Sequence, residues 1–214
     1  MHKNIVVWDL ICYVIFPLLI WNFSRDYISD YYAMLISSVP GIIYSIIRFI
    51  LLKKINLLGI FMIANLSLGT LIDVLSGSAI RMLWNNVFFS YAFALFFIIT
   101  IMMNKPIYLF FSLDVVEMQG HNRDKMKKLF YQSKTLTIFK LITLGFAFRE
   151  VLLASIKVWL IMKYGVDAFD KGIILRQVLN WTITGISIYG FIHISKMLNE
   201  SKPNEKPNDP FIQK

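Results

Sequence analysis

The sequence predicts an all-α fold: a polytopic membrane protein built as a six-transmembrane-helix bundle with both termini cytoplasmic. Hydrophobic residues make up 57% of the 214 residues, charged residues only 16%, and the mean hydropathy is +0.61. Soluble domains do not have this composition. Six apolar stretches each approach the roughly 20 residues that a helix needs to cross a bilayer. They comprise residues 5–23, 33–52, 57–75, 87–103, 141–162 and 173–194. Hydrocarbon offers the backbone no hydrogen-bond partner, so each stretch must be helical.

The distribution of basic residues predicts the orientation of this bundle. The segments on the same side as the N-terminus hold most of the lysines and arginines, in the turn at 53–54, the connection 104–140 and the tail. The loops on the other side hold only Arg25, Arg81, Lys163 and Lys171. By the positive-inside rule, the basic side faces the cytoplasm. Because orientation accounts for the net charge of +9, we expect no nucleic-acid partner.

The first two predicted helices each contain a proline, Pro17 in the first and Pro40 in the second. A proline lacks the backbone N–H that would donate one turn back, so we expect a kink in each helix. Such kinks are ordinary packing features of membrane helices, and the alternative is that the kink at Pro40 opens local space.

Residues 104–140 are predicted to form a cytoplasmic amphipathic loop. Within it, the segment 121–134 places Met126, Leu129 and Phe130 on one helical face and its lysines on another. A basic helix of this kind binds the anionic inner leaflet, so membrane lipids are an expected partner. The alternative is a solvated connector whose charges only fix the topology.

The chain divides into a transmembrane domain, residues 1–198, and a cytoplasmic tail, residues 199–214. The tail carries two near-identical tetrapeptides, at 202–205 and 206–209, rich in proline, asparagine and charge. Such a composition cannot bury a core, so we expect the tail to be disordered.

Polar residues at membrane depth are the main indication of function, because a charge at the bilayer centre costs about 2.5–3.5 kcal/mol. Arg149 and Glu150 lie near the middle of the fifth helix and are about 100° apart around its axis. We therefore expect each of them to find its partner on another helix. The candidate polar interior consists of Arg149, Glu150, Asp73, Asn65, Asn180, Arg176 and Arg48.

Two interpretations of this polar interior remain open. In the first, it forms the pathway of a small carrier or channel for an ion or small solute. In the second, buried ions and amides only fix the register between helices. The sequence contains no metal-ligand spacing, glycine-rich phosphate loop or nucleophile elbow. We therefore expect no cofactor and no catalytic site, although a lipid-modifying enzyme built on Arg149 and Glu150 is a third alternative.

Three short motifs give the chain a resemblance to a known family. They are Pro40 and Arg48 before the basic turn at 53–54, the turn 76–81 that ends in Arg81, and Asn104-Lys105-Pro106 before an aromatic run. Over about residues 33–120 the chain resembles a group of uncharacterised bacterial membrane proteins related to intracellular septation protein A.

The resemblance implies a bacterial cytoplasmic (inner) membrane and a non-enzymatic role in cell-envelope upkeep or division. Such a protein would act through lipids, a membrane protein partner or a second copy of itself. The resemblance draws attention to Arg48, Arg81, Lys105 and Pro106, of which Arg81 and Lys105 are expected at membrane interfaces. It supplies no substrate, so the envelope role is the leading predicted function and a small carrier or channel is the alternative.

Overall fold

The computed structural model describes residues 5–51 and 56–200, and these form helices joined by short turns, with no strand. The predicted basic turn at 53–54 and residues 201–214 of the predicted tail lie outside the described residues. The helices are α1 (Ile5–Leu10), α2 (Phe16–Ser24), α3 (Asp30–Leu51), α4 (Leu57–Leu75), α5 (Ala79–Met102), α6 (Ile107–Met118), α7 (Arg123–Phe130), α8 (Ser133–Tyr164) and α9 (Ala168–Glu200).

One π-helical turn, Ile11–Ile15, joins α1 to α2, so the two helices act as one rod. Pro17 follows this turn and offers no N–H to the carbonyl of Tyr13 one turn earlier. Within the turn, the N–H of Phe16 donates to the carbonyl of Ile11, five residues back, which is the π-helical pattern. In α3, by contrast, Pro40 lies inside an uninterrupted helix. The structure therefore has a backbone irregularity at the first proline and a continuous helix at the second.

Four described helices are long and apolar enough to cross a membrane: Val7–Ser24, Asp30–Ile50, Leu57–Leu75 and Ala79–Met102. Only 6% of the third of these segments is buried inside the protein, and at most 22% of each of the others. Their outward faces are therefore apolar, as a lipid environment requires. α8 and α9 are longer still, but over their described residues they are too polar or too highly charged to belong to this group.

The fourth span begins eight residues earlier than predicted, at Ala79 instead of residue 87. Arg81, Asn85 and Asn86 lower the hydropathy of this segment, which hid it from a search for apolar runs. Ser78 caps the helix by accepting a hydrogen bond from the N–H of Arg81. Both asparagines donate to side chains of the preceding turn and helix, so tertiary hydrogen bonds stabilise what hydropathy does not.

The long helices form a ring. α5 packs most extensively against α8, α8 against α9, and α9 against the first rod. The rod packs along α3, which contacts α4, and α4 returns to α5. Such a ring leaves a central space that every one of these helices can reach.

Two apolar clusters lie at the two ends of this ring. At the end with the turn Gly165–Asp167, Trp21, Met34, Met82 and Ile161 belong to one buried cluster. Toward the opposite end, Phe97, Phe111 and Ala147 are buried together, with Phe93, Tyr108 and Phe146 packed around them. The rings of Tyr108 and Phe146 are stacked, with centroids 4.1 Å apart. The central space is thus bounded by apolar packing above and below.

The connection 104–140 contains α6, α7 and the start of α8. The predicted amphipathic helix is shorter than expected, from Arg123 to Phe130. Its apolar face packs against the protein, because Phe130 is buried and Met126 and Leu129 pack on the same cluster. Its lysines are exposed. Binding of anionic lipid by 121–134 stays a prediction, and it would depend on the lysines rather than on insertion of the apolar face.

Candidate functional site

A cavity of about 460 Å³ occupies the centre of the helix ring. α3, α4, α5, α8 and α9 line it, together with Tyr13 and Pro17 of the first rod. On α4 and α5 the lining residues come from the halves nearest the turn between these two helices, Asn65–Asp73 and Met82–Phe93. The cavity therefore lies on the predicted outer side of the bundle, and we call it the central cavity.

The wall of the central cavity is unusually polar for the interior of a membrane bundle. Its charged side chains are Asp73, Arg149, Glu150, Lys157 and Arg176. Four side-chain amides add donors and acceptors, from Asn65, Asn86, Gln177 and Asn180. The structure thus brings six of the seven predicted interior residues to one cavity.

Arg149 and Glu150 bind each other, which corrects the expectation that adjacent residues would have to seek partners on other helices. The Arg149 Nη1 atom donates to Glu150 Oε1 over 2.6 Å, and both side chains are nearly buried, at 14% and 13% exposure. Two long side chains 100° apart can converge when both turn toward one cavity. The Arg149 Nε atom is buried without a hydrogen-bond partner among the described residues, so the pair leaves the guanidinium incompletely satisfied.

Asp73 is held by α5. The side-chain amide of Asn86 donates to Asp73 Oδ1 over 2.7 Å, and the same amide nitrogen donates to the carbonyl oxygen of Met82. The Tyr31 hydroxyl donates to the carbonyl oxygen of Val74 over 2.6 Å. These bonds fix the end of α4 between α3 and α5, so the Asp73 carboxylate has a defined position on the wall.

Lys157 and Arg176 also line the central cavity, and neither makes a hydrogen bond or ion pair within the described part of the chain. Lys157 passes close to α9, where a Cβ added at Gly172 would lie 3.8 Å from Lys157 Cε. Asp73 is within electrostatic reach of both cations. Lys157 was missing from the predicted interior, although its spacing of seven residues from Glu150 puts the two on one helical stripe.

The remaining predicted site residues lie away from the central cavity. Arg48 Nη1 donates to Asp9 Oδ1 over 2.9 Å, near the other end of α3. Arg81 and Lys105 are exposed, whereas Pro106 is fully buried at the start of α6. None of these four lines the cavity, so the motifs that carry the family resemblance and the polar interior are separate features.

A second polar cluster lies outside the candidate spans, where α6 meets α4 and α7. Asp114 is only 1% exposed, and its two oxygens accept from the N–H of Leu58 (2.8 Å) and from Arg123 Nη1 (2.7 Å). Arg123 also binds Glu117. Hydrogen bonds to Glu117 and Asp114 raise the pKa of the Arg123 guanidinium, which therefore stays charged. A buried carboxylate thus caps the N-terminus of α4, where the helix dipole favours negative charge.

No protein-family model, curated protein or solved structure matches this chain. The relation to intracellular septation protein A, and with it the envelope role, therefore stays a prediction. Over the described residues, no three histidine, cysteine or acidic side chains converge in a way that could hold a metal ion. What the chain does must be inferred from the central cavity itself.

Proposed function

We propose that the protein is a carrier that binds a small polar solute in the central cavity and moves it across the membrane. One observation carries the proposal: a polar cavity with two unpartnered cations, inside a ring of helices whose outer faces are apolar. Charged groups at membrane depth are expensive, and they usually mark substrate or ion pathways. Solute sites of membrane carriers lie within the membrane, between helices that can rock against each other.

The alternative, in which the polar side chains only hold the helices together, explains fewer of the charged groups around the cavity. It requires that polar side chains bind each other, as Arg149 and Glu150 do. Lys157 and Arg176 instead face open space in the cavity wall. The apolar clusters already pack the ends of the ring, so a roomy cavity between them has no role in stabilising the fold. The volume suits a small ligand.

The carrier also implies that all six predicted segments cross the membrane, with α8 and α9 as the fifth and sixth spans. The charges of α8 at positions 149, 150 and 157 all line the cavity, whereas large apolar side chains of the same helix are exposed, among them Leu141, Phe148 and Met162. The ion pair between Arg25 and Asp167, 2.7 Å long, joins the α8–α9 turn to the loop after the first span. That turn would therefore lie on the outer side.

Cysteine labelling tests the six crossings. In a Cys12→Ala background, we expect Lys163→Cys to react with a membrane-impermeant maleimide in intact cells, and Lys105→Cys to react only after lysis. Both side chains are exposed, so access to reagent is the only variable. Labelling of Lys163→Cys only after lysis would leave four crossings. Labelling of Lys105→Cys in intact cells would reverse the orientation that the basic residues predict.

Cavity filling tests the carrier. Gly69 lines the central cavity, and a Cβ there meets nothing closer than Phe89 at 3.9 Å. We expect Gly69→Phe to abolish solute binding and proteoliposome flux, because the phenyl group of the new side chain would occupy the cavity. Gly185→Phe is the matched control, because Gly185 has open space around it and does not line the cavity. Flux should be screened with anionic, cationic and neutral solutes.

The outcome separates the carrier from the envelope role. Equal flux in both variants, or no flux of any solute by the unaltered protein, would contradict the carrier. A stable membrane partner recovered without flux would instead favour the envelope role in a bacterial inner membrane that the family resemblance implies.

A further inference from the structure

The charges around the central cavity do not balance, and this imbalance indicates the class of solute. Arg149 and Glu150 neutralise each other through their ion pair. Asp73 accepts a hydrogen bond from a neutral amide, that of Asn86. Lys157 and Arg176 remain, and Asp73 is within electrostatic reach of both. The wall thus holds three basic and two acidic side chains, an excess of one positive charge.

From the proposed carrier function, we infer that the central cavity binds a solute through a singly charged anionic group, a carboxylate or a phosphodiester, held by Lys157 and Arg176. Arg176 is exposed and Lys157 is half-buried along the cavity wall, so an anion can reach both, and one anion removes the charge imbalance. The guanidinium fork of Arg176 suits both groups, because their paired oxygens match its donors. Lys157 adds a point charge from the facing helix.

A cationic solute would meet a less favourable wall. Glu150 already accepts from Arg149, and Asp73 from Asn86, so both carboxylates have partners. The three basic side chains would repel a cation at short range. The side-chain amides of Asn65, Gln177 and Asn180 make no hydrogen bonds within the described residues. These amides can bind hydroxyl or amide substituents on the rest of the anion, which gives the site polar specificity beyond charge.

Binding of matched pairs of probes tests this inference. Lactate and dimethyl phosphate carry the proposed groups, whereas lactamide and trimethyl phosphate have nearly the same shapes without the charge. We expect each anion to bind the purified protein at least about 10-fold more tightly than its neutral partner, measured by calorimetry. Lys157→Met and Arg176→Gln should each weaken anion binding by roughly 10- to 100-fold, since a hydrogen bond to a charged group is lost.

Two further variants sharpen the test. Lys163→Met removes an exposed lysine that does not line the cavity, so anion binding should not change. Asp73→Asn removes a carboxylate within electrostatic reach of both cations and should strengthen anion binding severalfold. A melting curve of each variant shows whether it is folded. Weaker anion binding in Asp73→Asn, in a folded protein, would overturn the inference because it would make Asp73 a ligand-binding group.

The anionic group could belong to a free solute or to a lipid headgroup. Dimethyl phosphate binding should be measured in nanodiscs with and without phosphatidylglycerol. Competition by the lipid identifies a headgroup as the source, and undiminished binding identifies a soluble anion. Equal affinity for charged and neutral partners, or no binding of either anion, overturns the anion inference. The carrier function survives that result if the flux screen finds a neutral or cationic solute.

Discussion

Glu150→Leu should lower the free energy of unfolding by about 3–5 kcal/mol, because it strands the buried guanidinium of Arg149. The cavity would then contain Arg149, Lys157 and Arg176 against the single carboxylate of Asp73. Arg149→Met should cost clearly less. The carboxylate that it strands, Glu150, is within electrostatic reach of Lys157 and can turn toward it. The order of the two losses is therefore set by the positive excess of the cavity.

Chemical denaturation in detergent measures these losses. The double variant Arg149→Met/Glu150→Leu should be more stable than Glu150→Leu alone, because it leaves no stranded charge. The matched control is Lys171→Met, since Lys171 forms a pair with its neighbour Asp170 over 3.5 Å but its side chain is 39% exposed. That control should cost less than about 1 kcal/mol. Equal losses in the two single variants would show that the other cavity charges do not influence the pair.

Asp114→Ala should destabilise the protein by about 3 kcal/mol, the second large effect. It removes two hydrogen bonds, one to the Leu58 N–H and one to the Arg123 guanidinium, each worth about 1.5–3 kcal/mol when one group is charged. It also removes negative charge from the N-terminus of α4. The Leu58 N–H would then be left without its acceptor.

Glu117→Gln provides the control for this prediction, because Glu117 binds the same guanidinium but is 49% exposed. We expect that substitution to change stability by less than about 1 kcal/mol. Hydrogen exchange gives a local readout: the Leu58 amide should exchange faster in Asp114→Ala and normally in Glu117→Gln. If the two variants lose the same stability, burial of Asp114 would not be what makes its bonds strong.

Local properties of the sequence determined the helices. The third predicted span, 57–75, and α4 have the same ends, since Asn56 caps the start and Gly77, with φ at +67°, follows the end. Helices formed by apolar runs with such capping signals can be recognised from the sequence alone, because they do not depend on contacts with other helices. Where polar residues interrupt a helix, as in the first turns of α5, hydropathy failed, and hydrogen bonds from Asn85 and Asn86 to α4 and the turn after it stabilise the segment.

Local properties also placed most of the candidate site. A charge or amide inside an apolar stretch is conspicuous, and Asn65, Asp73, Arg149, Glu150, Arg176 and Asn180 all line the central cavity. Arg48 was conspicuous for the same reason, but it binds Asp9 near the end of its helix. How deep a residue lies in a span can be predicted from the sequence, whereas whether its side chain faces the central cavity depends on how each helix is rotated about its axis.

Only the tertiary structure decided which side chains are paired. Arg149 and Glu150 bind each other because both turn into one space, which their 100° separation did not reveal. Asp114 lies in a connection, yet it is buried because α6 folds against the start of α4, 56 residues away in sequence. Lys157 faces the central cavity without a partner. Helix formation depends on neighbours within a few residues, but the partner of a long charged side chain depends on where distant helices place their own.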